Sequence, residues 1–346
     1  MRIERFDPVS DAAMVRALHR VYAEGAPLDD PVAPAMSPGV FGGWLAHGWT
    51  GVPRETWLAS PAGGPGGADG TAGATVGGYL LELPDRDNKD RGRLVIWVVP
   101  SRRRAGLGTS LLRHAAGRAR ANGRSMLDGE TREGSPGEAF ALAAGGSAGM
   151  TEIRRILDVS AIPAGRRAEL RTAAESAAAG YSLVNWEGPS PDEYLDQLVG
   201  LNEAMADAPR GPGEEPERWD ADRVRGTYER SLAQGVRHYS IAASHDATGA
   251  LAGLTEVAVD PARPEWGYQE LTAVTRAHRG HRLGLLTKVA MLDLLARREP
   301  QIERIVTWNG ESNRHMIAIN ETLGYRIADR WTTSWLLPVD AVSGAG

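Results

Sequence analysis

Residues 98 to 115 read VVPSRRRAGLGTSLLRHA, and residues 274 to 291 read VTRAHRGHRLGLLTKVAM. In each stretch an apolar run closes, basic residues and glycine follow, and apolar residues resume at helical spacing. The same order of elements surrounds both copies, so the chain reads as one unit written twice. This repeat limits the architecture more than any composition figure does. Each copy must build its own sheet and its own strand-to-helix turn, and 346 residues are enough for two domains.

The first copy predicts a helix over 10–25, an acidic Pro-rich loop, strands over 56–60, 75–83 and 94–100, the arginine-glycine turn, and a helix over 107–121. A strand at 124–129, a helix at 137–145 and a strand at 151–159 close it. The Gly-rich segment 60–74 reads as a flexible hairpin tip. The second copy predicts helices over 190–207 and 220–235, strands over 238–244, 250–259 and 268–274, the HRGHRLG turn, and a helix over 284–298. A strand at 304–309, a helix at 313–324 and a strand at 332–337 follow. The expected domains are 1–160 and 180–346, joined by an alanine-rich helical linker, 161–179.

Net charge is −5, which argues against a nucleic-acid partner. The absence of cysteine removes disulfides, thiolate zinc sites and cysteine nucleophiles, and no metal site is expected. Lysine occurs only at Lys89 and Lys288, against abundant arginine, alanine and glycine, which reads as genome composition. No apolar run reaches membrane-spanning length and the N-terminus carries no apolar signal core. A cytoplasmic protein with no membrane partner is expected.

A helix N-terminus exposes unpaired N–H groups and partial positive charge, and so suits an anion. Glycine lets the backbone come close, and arginine adds a permanent cation. Arg103-x-x-Gly106-x-Gly108 is therefore suited to a pyrophosphate. Two other readings compete. One is a plain turn with solvated arginines. The other is a dinucleotide-binding turn, with Asp128 as its acidic partner. Against the latter, its third glycine position is Leu111, and several strands precede the motif.

The order of elements resembles the GCN5-related N-acetyltransferases (GNAT), over nearly the whole chain and twice. In that family an R/Q-x-x-G-x-G/A turn wraps the pyrophosphate of acetyl-CoA. Downstream, VTWNGESNRHMIAINETLGY is similar to the family's strand-five asparagine and the segment after it. The chain looks like the tandem GNAT proteins of actinobacteria, the group that includes mycothiol synthase, and a role in secondary metabolism is expected. The resemblance implies an α/β (α+β) fold of two tandem domains, each a mixed, mostly antiparallel central sheet flanked by helices. It implies acetyl-CoA, or another acyl-CoA, as co-substrate and as a possible structural ligand. In the first half, Val98 and Val99 would offer backbone groups to the pantetheine arm. Arg103, Arg104, Ala105, Gly106, Leu107, Gly108, Thr109 and Ser110 would hold the pyrophosphate. In the second half the corresponding residues are Val274, Arg279, His281, Arg282, Leu283 and Gly284. Arg282 stands where the first half has Gly106; it can add charge, yet it crowds the turn.

The resemblance also implies direct attack of an amine on a thioester, which needs a base and hydrogen-bond donors. With Arg103 set against Arg279, Glu270 falls opposite Leu94 and is the candidate base; Glu256, near Leu81, is the second. Either could equally be a solvated or salt-bridged strand residue. The family's tyrosine acid is replaced by Asn320, with Ala141 as its counterpart in the first half. A thiolate, with a pKa near 8.5, could leave without an acid, or Asn320 could donate a hydrogen bond to it. Asn309 could orient the pantetheine or the acceptor, or simply cap its strand. Tyr325 reads as core. The expectation is an N-terminal half that holds acetyl-CoA for structure and a C-terminal half that transfers the acyl group to a small-molecule amine. Asp207, Glu214 and Glu215 border the expected acceptor loop, although a solvated acidic loop fits them as well. Trp219, Trp266 and Trp308 read as core more readily than as pocket walls. A monomeric pseudo-dimer is expected. The competing class is a non-catalytic acyl-CoA carrier or sensor.

Overall fold

The computed structural model describes residues 1–48, 51–62 and 75–343. They form two compact units. The first holds Met1–Glu152, Arg210–Glu215 and the chain from Arg330 on; the second holds Ile153–Pro209 and Pro216–Asp329. These units do not coincide with the boundaries 1–160 and 180–346. The closing strand of each repeat belongs mainly to the other repeat's unit, because a strand settles where a ladder partner is available.

The first unit begins with β1 (Arg2–Phe6), α1 (Ala12–Asp29), α2 (Pro38–His47), β2 (Arg54–Ser60), β3 (Gly77–Glu82) and β4 (Arg91–Val98). It continues with α3 (Leu107–Ala121), β5 (Met126–Arg132), α4 (Pro136–Ala143) and β6 (Ser147–Ala148). β7 (Thr151–Asp158) enters the second unit at Ile153. There follow α5 (Ala164–Ala177), β8 (Tyr181–Glu187), α6 (Leu195–Glu203), α7 (Ala221–Ala233), β9 (Arg237–His245), β10 (Leu251–Val259) and β11 (Trp266–Val274). Then come α8 (Leu283–Arg298), β12 (Arg304–Gly310) and α9 (Arg314–Leu323). β13 (Arg326–Pro338) returns to the first unit at Arg330, and α10 (Val339–Ser343) ends the description.

The strand order is β1-β2-β3-β4-β5-β13 in the first unit and β8-β9-β10-β11-β12-β7 in the second. One parallel pair occurs in each run, β4 with β5 and β11 with β12, and β1 to β4, β8 to β11 and β5 with β13 pair antiparallel. Each parallel ladder is short. It runs from Arg91↔Met126 to Arg93↔Asp128 in the first unit, and from Trp266↔Arg304 to Tyr268↔Val306 in the second. Beyond those residues the strands part and leave an opening at their C-terminal ends.

Helices α3 and α8 follow β4 and β11 and pack on the sheets through regular apolar faces. α3 buries Leu111, Leu112, Ala115, Ala116 and Ala119, and α8 buries Leu283, Leu286, Val289 and Leu292. Strand β10 is buried along its whole length, as its apolar run requires of a central strand. The hairpin of β2 and β3 is present, while most of its expected tip, 63–74, lies outside the described residues. Five elements were not expected: β1, α2, β6, β8 and α10. The sequence PGVFGGWLAH is a poor helix by propensity. Burial of Val40, Phe41, Trp44 and Leu45, and a Ser37 cap on the Val40 N–H at 3.3 Å, make α2 a helix. Among the described residues no helix is long and apolar enough to cross a membrane.

Candidate active site

In both units the strand-to-helix turn has one shape. Its two left-handed positions are Arg104 (φ 64°) and Gly106 (φ 79°) in the first unit. They are Gly280 (φ 91°) and Arg282 (φ 54°) in the second. Glycine has exchanged places with arginine, so each turn carries one non-glycine residue in a conformation costing about 1–2 kcal/mol. Arg282 therefore does not spoil the second turn, contrary to the sequence expectation. The first helical bonds are Ser110 N–H to Gly106 O and Leu286 N–H to Arg282 O, both 3.0 Å. Among the described residues, the N–H groups of residues 104 to 109, and of 280 to 285, meet no backbone acceptor. Each row suits a pyrophosphate. The last glycines serve packing: a Cβ on Gly108 would come within 3.2 Å of the Phe140 ring, and one on Gly284 within 3.1 Å of Ile319 Cδ1.

The signature arginines are placed differently from expectation. Arg103 is spent inside the protein. It donates to both Asp29 carboxylate oxygens, at 2.8 and 2.7 Å, and from Nε to the Val98 carbonyl at 3.1 Å. Arg279 repeats this with Asp207 at 2.7 Å and the Val274 carbonyl at 3.3 Å, and Arg276 shares Asp207 at 2.8 Å. Arg279 first, then Arg276, holds the Asp207 carboxyl below the usual range. Arg103 ties the last residue of α1, and Arg279 the segment after α6, to the end of the preceding strand, so the turn's backbone is left as the anion donor. The Val98 and Val274 carbonyls are occupied by these contacts, and the Val99 N–H is bound to Val76 O at 3.0 Å. Ser110 Oγ donates back to Gly106 O at 3.1 Å.

The acceptor loop also needs correction. Asp207 faces the turn arginines, and residues Arg210–Glu215 belong to the first unit. There Glu215 N–H donates to Asn88 Oδ1 at 2.8 Å, Gly213 O accepts from Arg91 at 3.0 Å, and Glu214 lies 4.0 Å from Arg93. Trp266 is core, and Trp219 and Trp308 lie against Arg223 and Arg154.

In the second unit the opening between β11 and β12 carries the chemistry-bearing groups. The β10–β11 register moves from Thr255↔Thr272 to Val257↔Gln269, which places an extra residue on β11 around Glu270 and Leu271. The matching β3–β4 ladder runs from Gly77↔Val98 to Glu82↔Arg93 with no interruption. Gln269, not Glu270, thus takes the place of Leu94, and Glu256 takes that of Leu80 rather than Leu81. A bulge re-aims side chains and is common beside active sites. Gln269 holds this one, donating to Glu256 O at 2.5 Å and Thr255 Oγ1 at 3.0 Å.

Glu270 retains 36% side-chain exposure, and His238 Nε2 lies 3.9 Å from its carboxylate. Desolvation raises the Glu270 pKa, with Glu256 adding to the rise and His238 opposing it. His238 is buried, its Nδ1 has no hydrogen-bond partner among the described residues, and its ring meets Tyr228 edge-on at 5.3 Å. Glu256 is buried and accepts from the Tyr228 hydroxyl and, at 3.3 Å, from Ser240. Burial first, and Glu256 second, push the Tyr228 hydroxyl pKa well up. Tyr228 and His238 were missed by the sequence reading; nothing local marks them.

Asn309 ends β12 half-buried. Asn320 is fully buried and cannot meet a departing thiolate. Its Nδ2 donates to Asn309 Oδ1 at 2.7 Å, and its Oδ1 accepts from Lys288 Nζ at 2.8 Å. Tyr325 is core, as expected.

The first unit has titratable groups of its own. Burial raises Asp128 to about 6 and Glu152 to about 7, and raises Glu130 as well. Asp128 lies 3.9 Å from Arg91. The sequence reading missed Glu130 and Glu152, and it had Asp128 in a different role.

No family model matches the chain, and no curated protein matches it. Among solved structures it is similar to a tandem GNAT protein from the clavulanic acid biosynthesis pathway. Identity there is 29%, the TM-score 0.77, and 98% of each chain is covered. It is similar to a GCN5-related N-acetyltransferase from Sphaerobacter thermophilus at 16% identity and TM-score 0.62, over 98% of this chain and 95% of that one. It also resembles a GCN5-related glucosamine N-acetyltransferase region of a fungal multi-domain β-N-acetylglucosaminidase. That match has 15% identity and TM-score 0.61, over 97% of this chain and 38% of the other. The last two likenesses concern the fold alone.

Proposed function

We infer that this chain, a tandem GCN5-related N-acetyltransferase (GNAT) fold, is an acyl-CoA-dependent N-acyltransferase whose second unit performs the transfer. The observation that carries the reading is the bulge in β11. It re-aims β11 at Glu270, whose carboxylate lies 3.9 Å from His238, and the first unit's β4 has no such bulge. The acyl group is taken to be acetyl, and the acceptor the amine of a small metabolite. The clavulanic acid biosynthesis pathway of the 29%-identical relative fits a biosynthetic role of this kind.

In the reaction an amine attacks the thioester carbon, the C–S bond breaks, and the acceptor nitrogen sheds a proton. The amides of residues 280 to 285 hold the pyrophosphate. Glu270 takes the proton, directly or through one water. Its raised pKa improves it as a base, and His238 opposes that rise. Asn309 supplies a hydrogen bond to the oxygen or sulfur that gains negative charge. The buried Tyr228–Glu256 pair forms the wall behind Glu270. The first unit's turn, with the same shape over the unbulged β4, holds a second acyl-CoA as a structural ligand. The raised carboxyls at Glu130 and Glu152 favour one other reading, transfer in the first unit.

Native mass spectrometry tests the binding half of this reading without knowledge of the acceptor. Wild type should take up acetyl-CoA at two sites, Gly106→Trp should lose one of them, and Gly284→Trp the other. Thermal unfolding of each variant checks that it folds. Wild type that takes up none would end the transferase reading.

A further inference from the structure

We propose that Lys288 is a positioning residue for this site: through Asn320 it fixes which end of the Asn309 amide faces the opening between β11 and β12. The inference rests on the transfer reading above. Lys288 projects from α8 into the second unit's interior and is 2% exposed. A buried ammonium is costly unless paired, and among the described residues no carboxylate pairs with it. It donates to Asn320 Oδ1 at 2.8 Å and lies 5.0 Å from the centre of the Tyr325 ring. Such a lysine weakens the fold, and a site that uses it accounts for its presence.

Its use follows from hydrogen-bond direction. An ammonium has donors and no acceptor, whereas an amide side chain has one end of each kind. Lys288, purely a donor while charged and still a donor of two N–H groups when neutral, holds Asn320 with its oxygen inward and its NH2 towards Asn309. Asn309 must answer with its oxygen, at 2.7 Å. What remains of Asn309 for the opening is its NH2, a donor. Without Lys288, Asn320 can turn over, offer its oxygen to Asn309 and draw that NH2 inward. An acceptor would then face the opening, the wrong partner for an oxygen or sulfur gaining negative charge. The first unit lacks the chain: Leu112, buried, stands in the place of Lys288, and Ala141 in that of Asn320.

The sequence makes the test clean, because Lys89 is the only other lysine. Protein labelled with 15N-lysine should give two side-chain resonances. The Lys288 resonance should move on addition of acetyl-CoA and again in Asn309→Ala, while that of Lys89 stays in place. Acetyl-CoA that binds without moving Lys288 would overturn the positioning role and leave the transfer reading intact. Failure of wild type to bind acetyl-CoA by mass spectrometry would remove the transfer reading itself. In turnover, Lys288→Met should lower kcat by about tenfold with the KM for acyl-CoA within roughly twofold. Added to Asn309→Ala, it should cost less than roughly twofold more, because both act through one donor. Lys288→Gln, which keeps an NH2 donor, should recover part of the loss. Losses that multiply in the double variant would overturn the proposal.

Discussion

Glu270→Gln is expected to lower kcat by about 100- to 1000-fold, the range for loss of a positioned general base, with KM for acyl-CoA little changed. Glutamine keeps the shape of the side chain and the bulge is held by Gln269, so the melting temperature should stay close to that of wild type. The pH profile adds a second readout. A base must be deprotonated to act, so the rate rises with pH through its pKa. Desolvation places the Glu270 pKa above the ordinary carboxylate value. The acid limb of kcat/KM should therefore lie above about 4.3 in wild type and vanish in Glu270→Gln. His238→Gln removes the group that lowers the Glu270 pKa, so its acid limb should move to higher pH. Steady-state kinetics with an amine panel measures all three. Unchanged turnover in Glu270→Gln would take Glu270 out of the mechanism and turn attention to Glu152 and Glu130. Two bound acyl-CoA molecules and no transfer to any amine would favour a carrier or sensor.

What could be read from the sequence was what is local in it. The turn was legible because its arginine, glycines and following apolar periodicity are neighbours. The helix expected over 107–121 is α3, Leu107–Ala121. The partners of that turn were not legible: Asp29 lies far before Arg103, and no periodicity links them. The bulge was invisible for a different reason. A gapless alignment on Arg279 assumes equal strand lengths, and one extra residue in β11 shifts everything before it by one. Glu270 was named from that alignment, but the residue in the place of Leu94 is Gln269. His238 and Tyr228 come from β9 and α7 and meet Glu270 and Glu256 only across the folded sheet. The loop Arg210–Glu215 lies within the second repeat in sequence, and its bonds to Asn88 and Arg91 place it in the first unit. Lys288 was counted with the composition. Within a periodic helix a single lysine reads as solvated surface, and only its burial shows otherwise.

Lys288→Met is expected to make the protein more stable near neutral pH while slowing it. Burial pushes the Lys288 pKa from 10.5 down to about 7. At about 1.36 kcal/mol per pKa unit, the lysine costs the folded state on the order of 4 kcal/mol at pH 7. Methionine removes that cost and fills a similar space. Against it stand an Asn320 oxygen without its donor, about 1–3 kcal/mol, and the lost contact with the Tyr325 ring, about 0.5–1 kcal/mol. The balance runs from about zero to about 2.5 kcal/mol of gain, with a midpoint of about 1 kcal/mol, or about 2–4 °C in melting temperature. The pH dependence carries the sign. Between about pH 7 and 10 the unfolded chain keeps the Lys288 proton that the folded chain has released. Wild-type stability therefore rises with pH across that window through this group, by up to about 1.36 kcal/mol per unit, and falls back as pH drops to 7. The raised carboxyls of Asp128 and Glu152 titrate near 6 and 7, and tyrosines in the unfolded chain titrate near 10, so the window belongs mainly to Lys288. The variant lacks this rise, so its advantage should shrink towards pH 10 and reverse there, once a neutral lysine costs little and still satisfies Asn320. Thermal unfolding of both proteins across pH 7 to 10 measures the difference. An advantage that stays constant with pH would show that Lys288 is charged and accommodated in the folded state, and that its burial is not the source of the instability.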